Sequence, residues 1–383
     1  MIRRRFLQLA LLIVPAFVFA QSNPPAGSVN YMLVGTYTEG KSEGIYVYKF
    51  NSSIGTYEYV NKATGIKNPS YLAVSPNHKF VYAVNELHNN NNGGAITAYR
   101  FDAGSGALVK LNDQLSGGDD PCYVTVDKTG KWVIVGNYSS GSLSVLPVQK
   151  DGSLGKAVTN IFHHGNSVNK DRQEKAHVHS TVLSGDNNWL FVPDLGMDKV
   201  MIYKFNSTNG SLKEATPSFV ASAPGAGPRH FVFSENGKFA YLIQEMSGAV
   251  SVFNYDGKGH LKMIQTLSSH PKDFAGNKGS ADIHISPDGK FLYASNRGDA
   301  NSIAIYSINP TNGQLSSVGF QSTIGKTPRN FSLDPTGKYL LVANQATDNI
   351  IVFKRDKTTG KLSETGKPLE VPTPVCIKWI PAK

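Results

Sequence analysis

The stretch Pro69-Ser70-Tyr71-Leu72-Ala73-Val74-Ser75-Pro76-Asn77-His78-Lys79-Phe80-Val81-Tyr82-Ala83-Val84-Asn85-Glu86 is the first of six copies of one pattern in a chain of 383 residues. The others run from Pro121-Cys122 to Asn137-Tyr138, Val178-His179 to Asp194-Leu195, Pro228-Arg229 to Gln244-Glu245, Ser280-Ala281 to Asn296-Arg297 and Pro328-Arg329 to Asn344-Gln345. Anchored on Ser75, Asp127, Ser184, Ser234, Ser286 and Asp334, the steps are 52, 57, 50, 52 and 48 residues. A fixed period of this size marks stacked or radial supersecondary units. It also aligns the chain with itself, so residues that break the pattern stand out.

Each copy spells strand, turn, strand, strand, turn, strand. In the fifth, Asp282-Ile283-His284-Ile285 alternates, and Pro287-Asp288-Gly289-Lys290 is a turn in which Gly is free to take positive φ. Phe291-Leu292-Tyr293-Ala294-Ser295 is apolar nearly throughout, as a strand covered on both faces must be. Ile303 to Ile308 alternates again, and Gly313-Gln314-Leu315 opens an outer strand. Four short antiparallel strands per repeat make a propeller blade.

The chain ends supply one more blade. Pro374 to Ile380 has only a first strand, while Tyr31 to Tyr37, Gly44 to Phe50 and Thr56 to Lys62 match the second, third and fourth. Pairing one C-terminal strand with three N-terminal strands closes the ring and removes open sheet edges. The prediction is an all-β, single seven-bladed β-propeller over residues 31–383, preceded by a linker at 21–30. Length alone would suggest two domains; the unbroken repeat argues for one.

Residues 1–20 have the layout of a signal peptide: Arg3-Arg4-Arg5, an apolar run from Leu7 to Phe19, and Val18-Phe19-Ala20 before the cut. The run is short for a membrane span, so no stable membrane insertion is expected once it is removed. Arg3 to Gln8 also resembles a twin-arginine signal, which leaves two export routes, both leading to the periplasm. No Cys follows the cut, which argues against a lipid anchor. Loss of three arginines takes the net charge from +10 to +7. Lys79, Lys131, Lys238, Lys290 and Lys338 are spread over equivalent blade turns rather than gathered into a patch, so nucleic acid is not expected as a partner. Cys122 and Cys376 fall in first strands of blades that are not neighbours, too far apart for a disulfide, and are expected as free buried thiols.

Two columns of the internal alignment carry chemistry. Residues opening the first strand are Ser70, Cys122, His179, Arg229, Ala281, Arg329 and Val375; residues ending the second are Glu86, Tyr138, Leu195, Glu245, Arg297 and Gln345, with Tyr37 in the closing blade. Antiparallel neighbours set the start of one strand beside the end of the next, so both columns lie at one end of the ring, near its axis. A scaffold asks nothing ionisable of them. Yet His179, Arg229, Arg329, Arg297, Glu86 and Glu245 converge there, and a cluster of both signs in a concave mouth is a candidate site. The competing reading is an ion-pair ring that ties blades together.

Other signals are weaker. The Asn or Asp before the second column (Asn85, Asn137, Asp194, Asn296, Asn344) reads as strand-end capping. His177 and His179 share a strand face and His163-His164 lies upstream, but no third ligand stands at a zinc spacing, so no metal is expected. Ala223 to Pro228 is a flexible lead-in to a strand rather than an anion nest, and His284 is expected to be a satisfied buried histidine.

With these residues in place the chain resembles the seven-bladed-propeller lactonases, which include bacterial 6-phosphogluconolactonase and fungal carboxymuconate-lactonizing enzymes. The resemblance covers the chain after residue 30 and is strongest at His179-Ser180, Pro228-Arg229-His230, Gln244-Glu245, Ala281 to Gly289, Asn296-Arg297 and Pro328-Arg329. It implies metal-independent hydrolysis of a sugar lactone, without a cofactor, on a small anionic or sugar-derived substrate. It places catalysis on His179, Arg229, Glu245 and Arg297. Arg329, Glu86, His230 and Asp282 are expected to bind substrate. Lactone opening needs a base, cations for the developing oxyanion and an acid for the leaving alkoxide; Glu245 and His179 both suit the base. The export signal departs from the cytoplasmic phosphogluconolactonase role, so an unphosphorylated aldonolactone or a carboxylated lactone competes as substrate. A muconate-type cycloisomerase and a non-catalytic binding propeller are the alternative functions.

Overall fold

The computed structural model describes residues 29–88 and 93–382; the signal segment and the linker before residue 29 lie outside them. Seven antiparallel sheets follow one another around a ring. The closing sheet has the order Pro374–Pro381, Val29–Thr36, Gly44–Asn51, Thr56–Thr64, with Val34 opposite Ile377 and Met32 opposite Trp379. Because Val29 and Asn30 already pair in this sheet, the propeller starts two residues earlier than expected.

Burial is deepest in the second strand of each blade, between the axial and outer strands. The second strands Trp132–Asn137, Phe239–Gln244, Phe291–Asn296 and Tyr339–Asn344 are buried at every position, whereas outer strands such as Leu261–Ser268 alternate. Two blades depart from four regular strands. In the third, the expected first strand is reduced to a bridge from Val178 to Asp194 and the pair Val182–Leu183. In the sixth, the outer strand is split into Leu362–Glu364 and Leu369–Glu370, both on Asn349–Arg355. Among the described residues no helix is long and apolar enough to cross a membrane.

The anchor column has one physical cause. In all six copies the anchor side chain accepts the backbone N–H five residues on: Phe80 to Ser75 (2.9 Å), Trp132 to Asp127 (2.9 Å), Trp189 to Ser184 (3.0 Å), Phe239 to Ser234 (3.0 Å), Phe291 to Ser286 (3.0 Å) and Tyr339 to Asp334 (2.7 Å). A short oxygen-bearing side chain is what such a turn needs.

The aromatic residue that donates each of these bonds then locks its blade to the next. Phe80, Trp132, Trp189, Phe239, Phe291 and Tyr339 lie on Gly152, Gly210, Gly259, Gly313, Gly360 and Gly55, each in the outer hairpin of the following blade. Tyr31 lies likewise on Gly106, completing the circuit. Each of these glycines has positive φ, and a Cβ on Gly313 would stand 2.4 Å from the Phe239 ring. Gly313→Ala therefore meets left-handed backbone strain and overpacking together. It is expected to cost about 2–4 kcal/mol, measured as a lower denaturant midpoint at unchanged slope.

Candidate active site

Both columns do meet at one end of the ring. A mouth of about 850 Å³ is lined by Cys122, His179 and Arg329 from the first column and Glu86, Tyr138, Glu245 and Arg297 from the second. Arg229 lies one layer deeper, 1% exposed. It borders a recess of about 10 Å³ that shares Glu86, Cys122, His179 and Arg329 with the mouth.

Glu245 is the hub. Its Oε2 accepts Arg229 Nε at 2.9 Å and lies 3.1 Å from an Arg297 Nη2; its Oε1 accepts Arg172 Nη2 at 2.7 Å. His179 Nε2 stands 3.7 Å from Oε2, beyond a direct hydrogen bond. Burial pushes the Glu245 carboxyl upward, but the guanidinium groups of Arg297 and Arg229, with His179 and Arg172, outweigh it and hold the group well below the usual Glu range. His179 goes the other way for a base: burial first, then the Arg229 charge, hold its pKa well below 6.5, so the ring is neutral at pH 7. Its Nδ1 faces the Cys122 sulfur at 3.8 Å. Burial, with repulsion from the other guanidiniums, pulls Arg297 down to about 10, still protonated at neutral pH.

Arg229 is fixed on several sides. Besides Glu245, its Nη1 donates to the Ala281 carbonyl and to His230 Nε2 at 3.2 Å, and neither contact uses Nη2. His230 Nδ1 bonds Asp282 Oδ1 at 2.7 Å, which makes Nδ1 the protonated nitrogen and leaves Nε2 free to accept from Arg229. Asp282 is 1% exposed and is also held by His284 Nε2 at 2.9 Å and by Asn330. The structure thus sets Asp282 behind Arg229, away from the mouth, and His230 at the recess rather than the mouth. Neither lines the mouth. His284 is satisfied, as expected, but its side chain is 30% exposed rather than buried.

The second carboxylate, Glu86, is served by Tyr37 Oη at 2.9 Å to each oxygen and by the Ser70 hydroxyl. Arg329 lies 5.3 Å above the Tyr37 ring and, among the described residues, its guanidinium has no hydrogen bond or ion pair. Charged groups lining the mouth are Arg172, Lys278, Arg297 and Arg329 against Glu86 and Glu245. That excess of positive charge suits an anionic ligand.

Arg172 escaped the sequence reading. It sits in the long connection before blade three, outside both repeat columns, and the internal alignment had nothing to compare it with. Lys278, in the connection before blade five, was missed for the same reason. The histidines of the first connection have other partners: His163 is buried between Asp194 (2.7 Å) and Tyr203 (2.9 Å), and His177 stacks on Tyr138. Among the described residues no group of three or more His, Cys, Asp or Glu stands ready to hold a metal ion. The N–H groups of Gly225 and Gly227 are engaged by Asp198 (2.6 and 2.8 Å), so this lead-in is tied down and offers no anion nest.

A family model described as "Lactonase, 7-bladed beta-propeller" matches residues 31–379. The chain belongs to this lactonase family. The lactonase is 42% identical over 345 residues to a 6-phosphogluconolactonase of Formosa agariphila, covering 89% of this chain and 96% of that protein. It is 39% identical over 349 residues to a 6-phosphogluconolactonase of Bacillus subtilis, covering 91% and 97%. The crystal structure of the periplasmic gluconolactonase of Pseudomonas aeruginosa superposes with a TM-score of 0.88 at 40% identity, covering 92% of this chain and 99% of that one.

The hub makes a stability prediction. Glu245→Gln leaves Arg229 and Arg297 buried without their counter-charge, which is expected to cost about 3–5 kcal/mol of unfolding free energy. Inorganic phosphate, binding the uncompensated cations of the folded state, should raise the variant's melting temperature more than that of the parent. In the parent the carboxylate's stabilisation is complete above the ordinary Glu value of 4.5 and is lost as pH falls toward the depressed folded value. An acid titration of stability should therefore be shallower below pH 4.5 in Glu245→Gln.

Proposed function

We propose that the protein hydrolyses a sugar lactone with His179, Arg229, Arg297 and Glu245 as its working residues. The observation that carries the reading is the pairing of a neutral His179 with two guanidiniums locked on one carboxylate at the floor of a cationic mouth. Membership of the lactonase family and the names of its relatives support it.

The division of labour follows from the contacts. Glu245 has both oxygens engaged by arginines, which makes it a poor proton acceptor and a good anchor. His179 is the base: it takes a proton from water as the oxygen adds to the lactone carbonyl. The electron pair pushed onto the carbonyl oxygen is met by Arg297, which lines the mouth, with the buried charge of Arg229 in the layer below. The imidazolium formed on His179 faces Glu245 at 3.7 Å, which stabilises it. When the ring C–O bond breaks, His179 returns the proton to the leaving alkoxide. Among the described residues Arg329 has no anion at hydrogen-bonding distance, which leaves it available to a carboxylate or phosphate where the substrate carries one and to the hydroxyls of an uncharged sugar lactone.

Residues 1–20 are read as an export signal, and the periplasmic name of the Pseudomonas relative supports that placement. A periplasmic site favours an aldonolactone without a phosphate.

Base uptake at constant pH by residues 21–383 tests the reading on 6-phosphogluconolactone, gluconolactone and a carboxymuconolactone. Hydrolysis above background is expected, and His179→Asn should lower kcat by about 10²–10⁴-fold. No turnover on any of the three would leave the binding-propeller reading standing; a change in muconate absorbance without base uptake would indicate a cycloisomerase. Because the neutral imidazole is the active form and its pKa is depressed, kcat/KM should stay level down through pH 6.5 and fall only below it. An acid limb at or above 6.5 would remove His179 from the base role.

A further inference from the structure

A small recess lies beneath the mouth. At about 10 Å³ it has room for one water molecule and nothing larger. Its wall brings together two kinds of group. Arg229 and Arg329 present cations, and the Arg229 Nη2 is unused by the hydrogen bonds that hold that side chain. Glu86 and the neutral His179, both able to accept a hydrogen bond, line it as well. A buried water needs about two to four polar partners, and this wall supplies both donors and acceptors. Glu86, Cys122, His179 and Arg329 border both spaces, so a molecule in the recess sits directly below a ligand in the mouth. Glu245 does not border the recess.

We propose that this recess seats the water that attacks the lactone carbonyl, and that Glu86 is a catalytic residue that orients it. One water hydrogen is held by Glu86 and the other points at His179, which leaves a lone pair directed up into the mouth. His179 takes its proton as the O–C bond forms; Glu86 remains ionised and keeps the remaining hydroxyl in line. Tyr37 Oη and the Ser70 hydroxyl both donate to Glu86, which fixes the carboxylate as an acceptor. Burial raises the Glu86 pKa against the opposing pull of Arg329, so its oxygens are stronger acceptors than those of Glu245. The proposal rests on the lactonase reading and adds a residue and a water position to it.

Two variants of the full chain test it, on whichever lactone the parent hydrolyses best. Glu86→Gln replaces one acceptor oxygen by a donor; Val375→Ile adds a methyl group to the recess wall. Each is expected to lower kcat by about 10²-fold while KM stays within about threefold, because Val375 lies outside the mouth and Gln keeps the shape of Glu86. A high-resolution crystal structure of the parent should show one water bonded to Glu86 and His179, absent from Val375→Ile. Should the Ile variant fail to fold, Glu86→Gln kinetics and the parent's crystal structure decide alone. Unchanged kcat in Glu86→Gln, a raised KM at constant kcat, or a parent recess without water would overturn the proposal while parental turnover upholds the lactonase. Absence of parental turnover on every lactone would overturn both.

Discussion

The structure depends on closure of the ring by its own two ends. Val29–Thr36 pairs with Pro374–Pro381 from Asn30 opposite Pro381 to Thr36 opposite Pro374, with one irregularity at Gly35/Thr36, and every other contact around the circle presupposes that seam. Without it the closing blade would lose its inner strand and the sixth its neighbour. The aromatic-on-glycine contacts show how the seam is distributed. Tyr339 on Gly55 crosses the chain ends with the same geometry that joins blades adjacent in sequence. The seam thus carries the same aromatic-on-glycine lock as every other junction.

Closure also decides where chemistry sits. In each blade the start of the first strand and the end of the second face the axis at the same end, so residues up to hundreds of positions apart are collected within a few ångströms. The fold then protects what it collects. Glu245 and Arg229 are 5% and 1% exposed, and burying such charges is costly unless they pair and their remaining hydrogen bonds are met. The pairing is met by Arg297 and Arg172, and the fixing of Arg229 by His230, Asp282 and Ala281. A polar lattice this tightly connected holds the guanidiniums in place before any ligand arrives, which is what electrostatic catalysis requires.

What could be read in the sequence follows from this arrangement. Blade number, strand order, closure and the rim columns were legible because they repeat, and repetition is visible in one chain. Residues brought in by connections unique to one blade were not. Arg172 completes the Glu245 hub from such a connection. Depth was illegible for a related reason. Column membership says which end of a strand a residue occupies, not whether it faces the opening or the layer below. Arg229 and Arg329 share a column, yet one is nearly sealed and the other lines the mouth. Asp282 and His230 were drawn toward substrate by proximity to these columns, but Asp282 is enclosed by His230, His284 and Asn330 and does not line the mouth. The irregular first strand of blade three was also hidden, since the apolar pattern persists where the ladder does not.

The turn bonds of the six anchors lie between the first and second strands, at the end of each blade opposite the mouth. The groups that specify the fold and the groups that line the opening therefore occupy different ends of the same strands. Substitution at the rim leaves those six bonds untouched. A lineage of such proteins can exchange rim side chains outside the Glu245 lattice, and so the molecules it accepts, while inheriting the scaffold unchanged. Innovation and heredity are assigned to opposite faces of one disc.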